Sequence, residues 1–378
     1  FVSLILIIWT YVLYPLFLWV VRHLFGSRLA EASLQNTPSV SLIISCYNEE
    51  DVIGEKVMNT LALDYPDHLL EIMVMCDGCT DDTAIRAREA GDERVRVIER
   101  PHRRGKTAVQ NMAAEQASGE ILVFSDANAM YDKCAITNLM LQFVDPNIAG
   151  VCGEVQFYSA TEKKSVGKEE EVYWGYEQFL KPTVSYVSSA LGANGAIYAI
   201  RKHQYHALPK AIISDLVEPL LQVQKGFRIA YEPAAVAREE IRINYIREFY
   251  RKQRIILRSW HGIGYVKTLL NPLKYGIFSL QLWSHKLLRW LMPAGLITLF
   301  ISNLFLLGAG ALFYWLFMVQ VFFYLLSLGG WIAHERSNIH SHKLLRLPFY
   351  FCLVNTAALS ALWLFFKGKN IVTWEPQR

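Results

Sequence analysis

The sequence predicts an α/β domain built on a doubly wound, mostly parallel β-sheet, with membrane helices on either side of it. Short apolar runs alternate with helical patterns between residues 39 and 125, which is typical of strands joined by crossover helices. Three of these runs end in a polar cluster, as strands do at a ligand-binding sheet edge. Both ends of the chain are apolar, whereas residues 33–260 hold most of the charge, so we expect one domain there.

The predicted strands are rich in apolar residues and lie at 39–45, 71–76, 95–98 and 121–125. Polar residues at 47–50, at Asp77 and at 126–128 follow the first, second and fourth of them. Because parallel strands share one carboxyl edge, these polar residues are expected to line one crevice. No G-x-G-x-x-G motif follows the first strand, which argues against a dinucleotide-binding site.

The crevice has the side chains that a nucleotide and a metal-bound diphosphate require. Asp126 and Asn128 follow a buried strand two residues apart, and such oxygen ligands suit Mg²⁺ or Mn²⁺ held jointly with substrate phosphates. A strand-end turn capped by these two side chains is the alternative. Asp77 could accept a hydrogen bond from a uracil imide or a ribose hydroxyl, and Tyr47 could lie against the base.

A basic turn at residues 100–107 precedes the next helical pattern and contains Lys106. Cations and a helix N-terminus at such a turn can bind phosphate. A solvated basic loop is the alternative, and the single glycine before Lys106 is not a Walker pattern.

The apolar ends predict membrane helices. Residues 1–21 have no charged side chain, so we assign 1–25 to an N-terminal transmembrane helix. A signal peptide is the disfavoured alternative, since the apolar run is long and lacks a basic start. Near the other end, 261–286 is predicted to form amphipathic interface helices and 287–366 the C-terminal membrane helices, followed by a tail at 367–378. The three apolar C-terminal spans are 287–307, 311–333 and 344–366.

Basic residues after the first span place the charged domain in the cytoplasm, which makes the chain a multi-pass protein of the plasma membrane, the inner membrane in a bacterium. Three further crossings would send the tail outside. Lys367, Lys369 and Arg378 in the tail oppose that, so either one span does not cross or the tail is an exception.

The composition argues against two other classes of function. The net charge is only +4 and the basic residues are spread along the chain, so no nucleic-acid partner is expected. The six cysteines include a single C-x-x-C, Cys76 and Cys79, without a second pair at zinc spacing. Structural zinc is therefore not expected. We expect the cysteines to be free thiols in a reducing cytosol.

In chain order, the motifs SCYNEE, MCDGCTDDT, RRGKTAVQN and FSDANA resemble those of family 2 glycosyltransferases. The flanking helices resemble the membrane polysaccharide synthases, such as the cellulose, hyaluronan, chitin and poly-N-acetylglucosamine synthases. The resemblance implies a glycosyltransferase A-like fold and a metal-dependent hexosyltransferase that uses a nucleoside-diphosphate sugar, most simply a UDP-sugar. Asn128 stands where the family has a second acid, and it would be a metal ligand with Asp126. The implied nucleotide-sugar-binding residues are Tyr47, Glu49, Asp77, Lys106 and Asp126.

The resemblance also implies a catalytic base. The stretch 213–219 matches the acidic motif of the family, and Asp215 in it would take the proton from an acceptor hydroxyl in a single, inverting displacement. Glu218 is the reserve candidate. The alternative is that Asp215 only caps a helix.

The acceptor motif Q-x-x-R-W of processive family members is broken here. Either Arg254 or Arg258 could match its arginine, and Trp260 would be a displaced tryptophan. These three residues are the predicted acceptor-binding residues. A basic helix face at the membrane surface is the alternative.

The predicted function is sugar transfer to a growing polysaccharide or glycolipid at the membrane. A broken acceptor motif favours the first alternative, a non-processive enzyme that glycosylates a lipid such as polyprenyl phosphate or ceramide. The second alternative is a non-catalytic nucleotide-sugar-binding subunit of a synthase complex, which Asn128 favours. The expected partners are a nucleoside-diphosphate sugar, a saccharide or lipid acceptor, the membrane, and subunits of an export system.

Overall fold

The structure, a computed structural model, describes residues 1–25, 36–158, 180–240, 244–336 and 343–371. Its centre is an eight-stranded mixed sheet. The strands are β1 (Val40–Cys46), β2 (Leu70–Asp77), β3 (Val95–Arg100), β4 (Ile121–Asp126), β5 (Ala129–Tyr131), β6 (Ile148–Tyr158), β7 (Ile197–Arg201) and β8 (Arg228–Glu240).

The first four strands are those that the sequence predicts, and they pair in parallel in the order β3-β2-β1-β4. The order continues β7-β6-β8-β5, where β6 and β8 are parallel and the other pairs are antiparallel. The α/β fold class is thus confirmed. Ser45 of β1 pairs with Asp126 of β4, and Cys46 pairs with Cys76 of β2, so the carboxyl ends of these strands meet at one edge.

Helices cover both faces of the sheet, as the apolar strands require. Ile53 and Val57 pack on one face, and Val109 and Ala113 pack on the other. The helices are α1 (Val2–Ile8, a π-helical turn at Trp9–Leu13 and Tyr14–Phe25), α2 (Glu50–Leu61), α3 (Thr83–Ala90), α4 (Lys106–Gln116), α5 (Ala135–Leu141), α6 (residues 180–187), α7 (Ser214–Gln224), α8 (Tyr245–Tyr265), α9 (Pro272–Leu282), α10 (Leu288–Phe305), α11 (Ala311–Arg336) and α12 (Lys343–Phe366).

Four helices of the described residues are long and apolar enough to cross a membrane: Val2–Leu24, Pro272–Phe305, Ala311–Ala333 and Leu344–Phe366. The last two coincide with predicted spans. The span at Pro272–Phe305 is longer than the predicted 287–307, because α9 continues through a π-helical turn into α10. The interface helices at 261–286 and the domain limits stay predictions, and residues 372–378 of the predicted tail lie outside the described residues.

Helix α8 joins the sheet domain to the membrane helices. The ring centroids of Tyr245 and Phe349 are 5.0 Å apart, and the Tyr350 hydroxyl donates to Glu248 over 3.2 Å. Because these contacts fix α8 on α12, they also fix which of its faces points toward the sheet edge.

Candidate active site

A cavity of about 800 Å³ opens at the carboxyl edge of the sheet. It is walled by the end of β4, the start of α4, residues 190–195, the start of α7, the end of β8 and one face of α8. Three predicted site residues, Tyr47, Asp77 and Trp260, are not part of its lining. The predicted residues that line it are Glu49, Lys106, Asp126, Asn128, Asp215, Arg254 and Arg258.

Three of these residues converge on Gly195. A Cβ atom on Gly195 would lie 2.7 Å from Lys106 Nζ, 2.9 Å from Asp215 Oδ2 and 3.6 Å from Asp126 Oδ2. The Lys106 ammonium pairs with Asp126 Oδ1 and donates to the Gly195 carbonyl over 3.2 Å. The fold therefore brings a cation and two carboxylates, which are distant in sequence, around one glycine.

Asp215 lies in the first turn of α7, where its own carbonyl accepts from the Ala193 N–H over 2.7 Å. Burial raises the pKa of the Asp215 carboxyl above its ordinary value, and the nearby Lys106 opposes this rise. A carboxylate with a raised pKa is a better proton acceptor. The arrangement suits a general base, and that role stays a prediction.

Asp126 and Asn128 present oxygen atoms to the cavity. Neither Asp126 Oδ2 nor the Asn128 side chain makes a hydrogen bond within the described part of the chain. These donors fit a hard cation such as Mg²⁺ or Mn²⁺. No group of three or more His, Cys, Asp or Glu side chains among the described residues could hold a metal ion. A cation here would therefore take its other ligands from substrate phosphates.

Asp77 and Tyr47 hold the basic turn rather than line the cavity. The buried Asp77 carboxylate accepts from the backbone N–H groups of Arg104 and Gly105, each over 2.7 Å. The Arg103 guanidinium lies 3.5 Å from the centre of the Tyr47 ring. The turn is thus tied to the ends of β1 and β2, and the predicted contacts of Asp77 and Tyr47 with a nucleotide stay predictions.

Three arginines of α8, Arg251, Arg254 and Arg258, share the helix face that lines the cavity. Arg258 donates to the Ile212 carbonyl over 2.7 Å, and Arg251 forms a two-bond ion pair with Glu248. Arg254 has no hydrogen bond or ion pair within the described residues. Burial first, and then its arginine neighbours, lower the pKa of Arg254 to about 10. This part of the cavity is therefore ready for an anion.

Trp260 lies elsewhere. Its ring packs against Trp290 and Phe365, with centroids 5.4 Å and 5.9 Å apart, among the membrane helices. The structure therefore does not bring the expected tryptophan of the acceptor motif into the cavity. Glu218, the reserve base, also lies outside the lining, where it accepts from Gln222 Nε2 over 2.7 Å.

Glu239 and Lys56 are among the charged residues of this region that were not anticipated from the sequence. Glu239 lines the cavity on β8, opposite Ala129 of β5. Burial first, and then the nearby Asp126, raise the pKa of Glu239 above its ordinary value. Lys56 lies fully buried behind the turn that joins β4 to β5. Neither residue stands in a recognisable motif, because only the pairing of β5 with β8 and the packing of α2 bring them here.

Comparison with known proteins agrees with this architecture. Residues 41–198 match the family model described as Glycosyl transferase family 2. An N-acetylglucosaminyltransferase of Azorhizobium caulinodans is 26% identical over 256 residues, which cover 61% of this chain and 64% of the relative. A poly-β-1,6-N-acetyl-D-glucosamine synthase of Staphylococcus aureus is 24% identical over 245 residues, which cover 59% and 58%. The chain thus spans about three fifths of the length of these curated relatives.

One solved structure has a similar fold over nearly the whole chain. It is the mannosyltransferase PcManGT from Pyrobaculum calidifontis, in complex with GDP-Man and Mn²⁺. The match covers 98% of this chain and 100% of that one, with a TM-score of 0.69 and 19% identity. At this identity the likeness shows a shared fold.

Proposed function

We propose that this chain, which carries a family 2 glycosyltransferase domain of the polysaccharide-synthase type, transfers a sugar from a nucleoside-diphosphate sugar to an acceptor at a membrane. The observation that carries the proposal is the convergence of Lys106, Asp126 and Asp215 around Gly195. Such a site offers a phosphate-binding cation, a cation ligand and a base within one pocket. The four apolar helices support membrane embedding.

In the proposed reaction Asp215 accepts the proton of the acceptor hydroxyl as that oxygen attacks the anomeric carbon. The carbon–oxygen bond to the diphosphate breaks on the opposite side, so the anomeric centre inverts. Lys106 and Arg254 bind the departing diphosphate by charge-assisted hydrogen bonds. Asp126 and Asn128 would hold Mg²⁺ or Mn²⁺, which offsets charge on the same group.

The relatives guide the choice of donor. Both curated relatives are named for N-acetylglucosamine, so UDP-N-acetylglucosamine is the first donor to test. Mn²⁺, which is present in the solved structure of similar fold, is the first metal to test. Tyr47, Glu49 and Asp77 are proposed to form the nucleotide end of the site, where the last of them acts by holding the basic turn. Subunits of an export system stay a prediction.

A second candidate concerns the acceptor. The arginine face of α8 and the packing of Trp260 against membrane helices favour an acceptor that is bound by charge rather than by ring stacking. A lipid phosphate such as polyprenyl phosphate has that chemistry. Analysis of the products distinguishes the two candidates: a ladder of oligosaccharides indicates polymer synthesis, and a single lipid-linked sugar indicates the lipid transferase.

The base is tested with Asp215→Asn in purified, detergent-solubilised protein. We expect UDP release from UDP-N-acetylglucosamine to fall by about 10²–10⁴-fold, the usual worth of a general base, while UDP binding is kept. Glu218→Gln is the matched control, because Glu218 is an acid of the same helix outside the cavity. Wild-type protein that binds UDP-sugar but releases no UDP would support the non-catalytic subunit instead. Unchanged release by Asp215→Asn would refute the mechanism.

A further inference from the structure

Lys56 of α2 is completely enclosed, which is unusual for a lysine. Its ammonium donates to the carbonyl of Ala129 and lies 3.7 Å from the centre of the Tyr131 ring. A buried ammonium needs such partners, because taking an unpaired charge out of water is costly. These contacts fix Lys56 directly behind strand β5.

A second side chain of α2 holds the same strand. Asn59, one turn further along, accepts from the Tyr131 N–H over 2.8 Å and donates to the Tyr131 carbonyl over 2.9 Å. On its other side β5 pairs with β8, where Ala129 faces Glu239. Asn59 holds the far end of β5, at Tyr131, whereas Lys56 holds Ala129, the residue directly after Asn128. The Lys56 contact therefore determines where the turn after β4 points its side chains.

Lys56 also faces the charges of the cavity from behind. The charged groups that act on it are Asp126 and Glu239, and both line the cavity. Burial lowers the pKa of Lys56, whereas these two carboxylates favour its charged form. The carbonyl of Ala129 and the face of the Tyr131 ring are also partners for a cation. Lys56 is therefore a buried hydrogen-bond donor that lies behind two carboxylates of the cavity.

We propose that Lys56 is a positioning residue for sugar transfer. Through its hydrogen bond to Ala129 it anchors the turn that carries Asp126 and Asn128. The inference rests on the proposed function and adds a residue that does not touch the substrate. Because the placement of Asp126 matters most in the transition state, we expect kcat to depend on Lys56 more than the donor KM does.

Three variants separate this role from a purely structural one. Lys56→Met keeps the long apolar stem and removes the ammonium. Lys56→Arg keeps a charge. Asn59→Ala removes the two hydrogen bonds to Tyr131 and leaves the charge in place. Each is purified and compared with wild type for kcat and donor KM in UDP release and for the thermal unfolding midpoint.

We expect Lys56→Met to lose roughly 10-fold or more in kcat with donor KM within about 3-fold. Asn59→Ala should keep kcat within about 3-fold of wild type, although its loss of thermal stability should be comparable to that of Lys56→Met. Lys56→Arg should recover most of the lost kcat. If the Lys56→Arg protein does not fold because arginine is too large for the buried site, the comparison of Lys56→Met with Asn59→Ala decides whether Lys56 is a positioning residue.

Two results would overturn the inference alone. One is a wild-type kcat in Lys56→Met. The other is that Lys56→Met and Asn59→Ala lose kcat to the same extent when their unfolding midpoints fall by the same amount. That result would make Lys56 a structural residue. Absence of UDP release by wild-type protein would count against the proposed function and remove this inference with it.

Discussion

Gly195→Ala is the sharpest test of the proposed pocket. Gly195 is not among the glycines with positive φ, so alanine can adopt its backbone conformation and the effect comes from the added methyl group. That methyl would lie 2.7 Å from Lys106 Nζ and 2.9 Å from Asp215 Oδ2. Both distances are far below van der Waals contact, so at least one of these side chains must move.

The structure gives the size of the effect. The two clashing atoms are the ends of side chains that can shift, so the loss of folding stability should be at the low end of overpacking, about 1 kcal/mol. The shift itself separates Lys106 from Asp126 or moves the base by up to about 1 Å, and a misplacement of that size costs about 10²-fold in rate. This corresponds to about 2.7 kcal/mol of transition-state stabilisation.

The assay is kcat/KM for UDP release, measured beside the thermal unfolding midpoint. Gly264→Ala is the control, because Gly264 lies in α8 and a Cβ there has no heavy atom within 4 Å. It should retain wild-type activity and gain up to about 1 kcal/mol of stability from the better helix propensity of alanine. Wild-type activity in Gly195→Ala would show that Lys106 and Asp215 do not act beside this glycine.

Two further predictions concern charge. Arg254→Gln should weaken UDP binding about 10-fold in calorimetry, the loss of one charge-assisted hydrogen bond, without lowering the unfolding midpoint, because Arg254 has no ion pair among the described residues. Unchanged UDP affinity would contradict the anion-binding role, and Arg251→Gln, which breaks the pair with Glu248, should be destabilising instead. The hydrogen bond from Cys76 lowers the pKa of Cys79 to about 7. The fraction of Cys79 present as thiolate, and hence its rate of alkylation measured by mass spectrometry, should rise as the pH passes upward through about 7. Cys76→Ala should move the midpoint of this pH dependence higher. Equal midpoints in wild type and Cys76→Ala would refute the contact.

Three strands of the first half of the sheet, β1, β2 and β4, could be predicted from the sequence because they are buried on both faces. Strands β1, β2 and β4 are continuous apolar runs, and that pattern needs no tertiary information. Strands β6 and β8 give no such signal. The first contains Gly153 and Glu154 at a register shift, and the second contains Pro233 and several charges. Their extended conformation depends on pairing with each other, which only the folded chain provides.

Site residues could be predicted where a motif stands at the end of a strand. They could not be predicted where the rotation of a helix decides which side chains face the cavity. Asp126 and Lys106 could be predicted because they lie at the end of β4 and at the start of α4. The orientation of Trp260 depends on the rotation of α8. Successive residues of a helix are about 100° apart, so a residue two positions after Arg258 lies on nearly the opposite face. With Arg258 in the cavity, Trp260 must point away from it, as the structure has it.

The arginine face of α8 also links the binding of substrate to the stability of the fold. Arg251, Arg254 and Arg258 repel one another, and a free helix could turn to separate their charges from the cavity. Here Arg251 is paired with Glu248, and Glu248 is in turn bound by Tyr350 of the membrane helix α12. Because α8 is held on that side, an anion that binds in the cavity would reduce the repulsion further. Diphosphate binding should therefore stabilise the fold as well as orient the donor.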